Sequence, residues 1–150
     1  MASKNSHSET IKEAVTAATR AISGNKELEI NFGGMGSSLP HPPKTLKELS
    51  AYRGKADSLA CVEKYRDKSV RIASNNEKVN SLIKVMEDSR VEILGSMNYP
   101  GIATNIKSKF DDKCKLYESF EDHDDHLEIA LETWLRNLCL PDIESNKSSL

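Results

Sequence analysis

Residues 122–126, Asp-His-Asp-Asp-His, set two imidazoles three positions apart with carboxylates between them. On a helix His123 and His126 would share one face, and imidazole with carboxylate is a donor set that transition metals accept. Asp122, His123, Asp125 and His126 are therefore the weak candidates for metal ligands. The same carboxylates also suit a helix start, where the dipole favours negative charge, and no other spaced ligands complete a closed site. A second stretch, Gly33, Gly34 and Gly36 with Ser37 and Ser38, follows an alternating segment as phosphate loops follow strands. No lysine comes after Gly36 and Pro40 blocks a helix there, so a flexible turn is expected and a nucleotide site is not. Cys61, Cys114 and Cys139 are odd in number, far apart and never in a Cys-x-x-Cys pair, which reads as reduced thiols used for packing. His7, His41, His123 and His126 all fall in expected loops or tails, so no Ser/His/Asp or Cys/His set can be assigned. The expectation is a chain with no catalytic residue and no bound cofactor of its own.

The elements that would position these residues are mostly helical. Thr10 and Glu13 have the form of a capping box, predicting a helix start, and Ile11, Ala14, Val15, Ala18, Ala21 and Ile22 recur at spacings of three and four up to Gly24. Leu28, Ile30 and Phe32 alternate with polar residues, the period of a half-buried strand over 27–32. Its mate is either the extended segment of Leu39, Pro40, His41, Pro42 and Pro43, or another copy or subunit. A second capping box, Thr45 and Glu48, opens a helix expected to run to about Ala73. One seam holds Leu46, Leu49, Tyr52, Ala56, Leu59 and Ala60; a second face holds Val62, Tyr65, Ser69 and Ile72. Gly54 inside it implies a kink or the close approach of another backbone.

Ser74, Asn75 and Asn76 signal a turn. A third helix over about 77–97 then carries Val79, Leu82, Ile83, Met86, Ile93 and Leu94, giving an antiparallel hairpin. A break at 98–101 precedes a fourth helix with Ile102, Ile106, Phe110, Cys114 and Tyr117. After the acidic loop 118–126, Leu127, Ala130, Leu131, Trp134, Leu135 and Leu138 form the stripe of a fifth helix, ended by Pro141. The fold class is mainly α, about five helices in an antiparallel bundle-like array with a minor β element near 27–32. Residues 1–8 read as a disordered leader, 9–140 as one helical domain and 141–150 as a flexible tail.

Composition narrows the function classes. Of 150 residues, 37% are apolar and 29% charged, with 21 Lys or Arg against 23 Asp or Glu, so no global positive field favours nucleic acid. No apolar run is long enough to span a bilayer, and the first ten residues lack a secretory pattern, so a soluble cytoplasmic protein is expected. Charge is uneven: residues 44–78 hold nine basic and five acidic side chains, net +4, while 121–150 hold two basic and eight acidic, net −6. Such asymmetry suits docking more than chemistry. Arg90 falls on the apolar stripe of the third helix, where it must snorkel or find an acid such as Glu87, Asp57 or Glu63.

Four blocks, in order across residues 12–115, carry a family resemblance. They are Arg20-Ala21-Ile22-Ser23-Gly24 leading to Glu27-Leu28-Glu29-Ile30-Asn31-Phe32; the proline spacer at 39–43; Arg53-Gly54-Lys55-Ala56-Asp57-Ser58; and Glu87-Asp88-Ser89-Arg90-Val91-Glu92-Ile93-Leu94-Gly95-Ser96 with Gly101-Ile102-Ala103-Thr104-Asn105. Together they resemble the amino-terminal region of the CobT family, a subunit of the aerobic cobaltochelatase. The resemblance implies a place in an ATP-dependent complex that inserts Co²⁺ into hydrogenobyrinic acid a,c-diamide during cobalamin biosynthesis. The partners it implies are the AAA+ ATPase subunit CobS and the large subunit CobN, with ATP, Mg²⁺ and Co²⁺ used by the complex and not bound by this chain. Family members continue into an acidic linker and a von Willebrand A domain whose DxSxS metal motif is absent here, so a fragment or truncated relative is expected.

On this reading the chain is a non-catalytic scaffold, inactive alone and able to repeat as a homo-oligomer within a ring. Arg53, Asp57, Arg90 and Glu92 are expected to form a polar set between helices two and three that either locks their packing or touches the ATPase. The alternatives are a free-standing helical adaptor without a chelatase role and a small metal-binding protein using His123 and His126.

Overall fold

Small residues on the second helix let three other helices approach it. Ala51, Ala56, Ala60 and Cys61 are buried along α2 (Leu49–Tyr65), which packs most extensively on α4 (Pro100–Glu118) and also on α1 (Ala2–Ser23) and α3 (Glu77–Asn98). A fifth helix, α5 (His126–Cys139), lies on α3. The computed structural model describes residues 2–118 and 126–140, with side chains from residue 7. The cores are two. Val15, Leu39, Tyr52 and Ala56 form one between α1, α2 and the proline segment; Cys61, Val91, Ile102 and Ile106 form the other where α2, α3 and α4 meet.

Local signals account for most boundaries. Gly24 ends α1 with φ +76 and its N–H on the Arg20 carbonyl at 3.0 Å, the left-handed close that glycine adopts without a Cβ penalty. Asn76 caps α3, its side chain accepting from the N–H groups of Lys78 and Val79 at 2.9 and 3.3 Å. Only Tyr99 separates α3 from α4, extended as a residue before proline must be, and Pro100 opens α4 where a missing N–H costs nothing.

Gly54 marks the closest approach of two backbones. A Cβ there would fall on the Asn105 carbonyl oxygen of α4 and within 2.8 Å of the Lys109 Cβ. Of the two sequence readings, close approach is therefore the one that holds.

Four expectations need correction. α1 begins at Ala2, so residues read as a leader are helical and Thr10 sits inside the helix, not at its cap. Thr45 precedes a single 3-10 turn, Leu46–Glu48; its hydroxyl meets the Glu48 carboxylate at 3.0 Å and caps no backbone group. The second helix stops at Tyr65 and not near Ala73, leaving Ile72 in an extended link and not on a helix face. The β element shrinks to one isolated parallel bridge between Phe32 and Leu39, so the proline segment is the mate, and no strand occurs among the described residues. Two hydrogen bonds hold it, Gly33 N–H to Leu39 O at 2.8 Å and Leu39 N–H to Asn31 O at 3.0 Å. The His41 imidazole occupies the place a Gly33 side chain would need, which with φ +72 admits glycine and little else.

Candidate functional site

The charged residues of α5 point into the protein. Glu132 and Arg136 are 6% and 9% exposed, whereas Trp134 and Leu138 are 59% and 62% exposed. At about 100° per residue, Leu127, Trp134 and Leu138 share one narrow stripe, and it faces solvent. The six apolar positions that the sequence grouped on this helix therefore split: Leu131 and Leu135 are half-buried, while Leu127, Ala130, Trp134 and Leu138 are exposed. The side of α5 that faces in is tied down by ion pairs.

Arg136 donates to Glu92 of α3 and to Glu132 Oε1, the latter at 2.7 Å, and its guanidinium lies 4.7 Å from the centroid of the Phe110 ring. Lys109 of α4 pairs with the other oxygen of Glu92 and donates to Ser58 Oγ of α2 at 2.7 Å; Ser58 donates to Glu92 at 2.6 Å. Lys113 reaches Glu132 at 2.7 Å. One network thus ties α2, α3, α4 and α5 together. Burial pushes the Glu92 carboxyl up, but Lys109 and Arg136, with the bonds from Lys109 and Ser58, outweigh it and hold its pKa below the usual range. Burial likewise opposes charge on Arg136, and Glu92 and Glu132 overcome it, keeping the guanidinium pKa above its ordinary value.

A second polar chain starts at Asp57, the residue before Ser58 on α2. Asp57, fully buried, accepts from Asn105 Nδ2 at 2.8 Å and pairs with Arg53 at 3.4 Å, while Ser50 donates to Asn105 Oδ1 at 3.3 Å. Burial raises the Asp57 pKa, with the Asn105 bond and the Arg53 charge acting against it.

Of the expected polar set, Arg53 and Asp57 meet each other, and Glu92 instead faces α4 and α5. Arg90 stands apart. It is half exposed, bonded to Glu87 at 2.7 and 2.8 Å and to the Tyr65 carbonyl at 2.9 Å, so Glu87 is its acid, not Asp57 or Glu63. Sequence reasoning missed Lys109, Lys113, Glu132 and Arg136. The only signal was that Glu132 and Arg136 sit four apart, as an ordinary surface pair would.

Beside Arg90 runs a groove of 680 Å³ between the 66–76 link and α3, continuous with an apolar one of 450 Å³ between α3 and the end of α5. The two share Ile72, Ile83, Glu87 and Arg90.

The metal candidates are not brought together within the described residues. His126 opens α5, while Asp122, His123 and Asp125 lie outside the described residues. No group of three or more His, Cys, Asp or Glu among the described residues could hold a metal ion. All three cysteines are free, and burial with the Glu92 and Asp57 charges pushes the Cys61 thiol up to about 12. No described helix is long and apolar enough to cross a membrane.

Helices joined by buried ion pairs, with large apolar side chains of α5 left outside, define an α-helical array. The chain belongs to the family described as cobalamin biosynthesis protein CobT, whose model matches residues 5–139. No solved structure matches it. The family assigns the chain to cobalamin biosynthesis.

Proposed function

We propose that this chain is an assembly domain of the ATP-dependent cobaltochelatase that inserts Co²⁺ into hydrogenobyrinic acid a,c-diamide. It docks the AAA+ ATPase subunit CobS beside the large subunit CobN and supplies no reacting group. One observation carries the reading: charged side chains at the helix junctions are engaged with one another, while Val70, Ile72, Met86, Trp134 and Leu138 stand in solvent. Val70, Ile72 and Met86 meet along one trough beside Arg90, and apolar side chains grouped in this way mark a surface for other proteins. Substrate, metal and nucleotide chemistry then belong to the companions, and this chain alone neither hydrolyses ATP nor binds Co²⁺ stoichiometrically.

The test is co-purification of the tagged chain with CobS, and with CobS and CobN together. Capture, with chelatase activity only in the mixture, is the expected result. Failure to bind CobS favours the free-standing adaptor. Calorimetric binding of Co²⁺ lost on replacing His123 and His126 favours the metal-binding alternative.

A further inference from the structure

We propose that the groove between the 66–76 link, α3 and the end of α5 receives an acidic amphipathic helix from a partner protein. The idea deepens the assembly reading and rests on it only in placing that helix on another protein. Three observations carry it.

The first is shape and polarity. The floor is apolar, from Ile83, Ile93 and Leu94 of α3 to Leu135 of α5, and the apolar lining extends past Ile72 and Met86, which remain 68% and 48% exposed. A trough of this kind along one helix is the seat an amphipathic helix takes, with anchors at every third or fourth residue.

The second is charge. Arg66, Arg71, Lys84 and Arg90 line the rim against Asp67 and Glu87, with Asp88 behind them bonded to Arg66 and Lys84. Two of these guanidinium groups are not fully engaged. Arg71 meets no acid among the described residues, and Arg66 Nε is enclosed without a hydrogen bond, 3.9 Å from Glu87. An incoming carboxylate reaches Arg71, which lines the groove and lacks an acid among the described residues, whereas the enclosed Arg66 Nε has no surface open to it. Carboxylates on the flanks of an apolar helix match this arrangement; ammonium groups do not.

The third is that the wall is pre-set. Asn80 of α3 accepts from the Ser74 N–H at 2.7 Å and donates to the Ser74 carbonyl at 2.8 Å, clamping the link just after Ile72 and Ala73. A wall already held in place lowers the ordering cost of binding.

The probe is a fluorescein-labelled peptide of about 16 residues, long enough to hold a helix. It carries leucines at helical spacing with glutamates on the flanks. A second peptide has lysine for each glutamate. With the full chain, the glutamate peptide is expected to bind and the lysine peptide to bind at least about tenfold more weakly. Affinity should fall as salt rises from about 0.01 M, where the screening length is about 30 Å, to about 1 M, where it is about 3 Å. Arg71→Glu and Ile72→Asp, both at exposed positions, should each weaken binding about tenfold, and Lys47→Glu in the 3-10 turn before α2 should leave it unchanged. Equal binding of the two peptides, no binding of either, insensitivity to both variants, or a groove filled by self-association that Ile72→Asp dissolves would overturn the proposal. Peptide binding without capture of CobS sinks the chelatase assignment and leaves the groove assignment standing. Capture of CobS with no peptide binding and no effect of Ile72→Asp does the reverse.

Discussion

Replacing Glu92 by Gln removes one charge and almost no volume from the point where four helices meet. Glu92 receives Lys109 and Ser58 on one oxygen and Arg136 on the other, and its side chain is 5% exposed. An amide keeps one acceptor, but its NH₂ must then face a donor, Arg136 on one side or Lys109 and Ser58 on the other. Breaking a buried ion pair from one side typically costs about 3–5 kcal/mol. Arg136 retains Glu132, and Lys109 is a fifth exposed and can turn to water, so the lower end, about 3 kcal/mol, is expected. For a chain of this length that lowers the melting temperature by roughly 6–12 °C.

Urea unfolding at neutral pH measures the loss directly, and hydrogen exchange in α5 should rise first, because α5 has little apolar anchoring. The pH dependence has a definite sign. The Glu92 pKa is lower folded than unfolded, so its contribution is complete above the unfolded value of about 4.3 and is lost as pH falls through the folded value. The variant should therefore lose stability less steeply on acidification than the parent. Replacing Glu92, Lys109, Glu132 and Arg136 together by apolar residues of similar size should restore most of the stability. A Glu92→Gln chain within about 1 kcal/mol of the parent would refute the claim that ions hold α5 in place.

Gly54→Ala should gain up to about 1 kcal/mol of helix propensity and lose more to the clash with the Asn105 carbonyl, a net destabilisation of about 2 kcal/mol; a more stable variant in urea would show that α2 and α4 are less closely packed. Arg90→Met removes an exposed pair with Glu87 and should change stability by no more than about 1 kcal/mol, solvent screening leaving such pairs weak. The same variant should lose capture of CobS, and a large drop in melting temperature would instead make Arg90 structural. With a thiol reagent at pH 8, exposed Cys139 should react in the native chain and Cys61 only after unfolding, since a thiol near pKa 12 is about one part in ten thousand thiolate there.

Apolar spacing located all five helices, because a repeat of three and four reports a face whatever that face later meets. Punctuation at Gly24 and at Ser74, Asn75 and Asn76 was legible for the same reason: each acts on its own backbone within a few residues. Gly54 also announced a close neighbour, though not that the neighbour was Asn105. The capping boxes at Thr10 and Thr45 misled, since a capping pattern states a preference that the surrounding helix or turn can override.

The candidate site was less legible. Arg53 and Asp57 pair at the helical spacing of four, and Arg90 finds Glu87 three residues away, both local relations. Glu92 and Arg136 are 44 residues apart, and no periodicity links them. Their meeting sets the charged side of α5 inward with its charges satisfied by one another, and leaves Trp134 outward. Periodicity tells that a helix has two faces; which of them faces in depends on the charges that other helices bring to it.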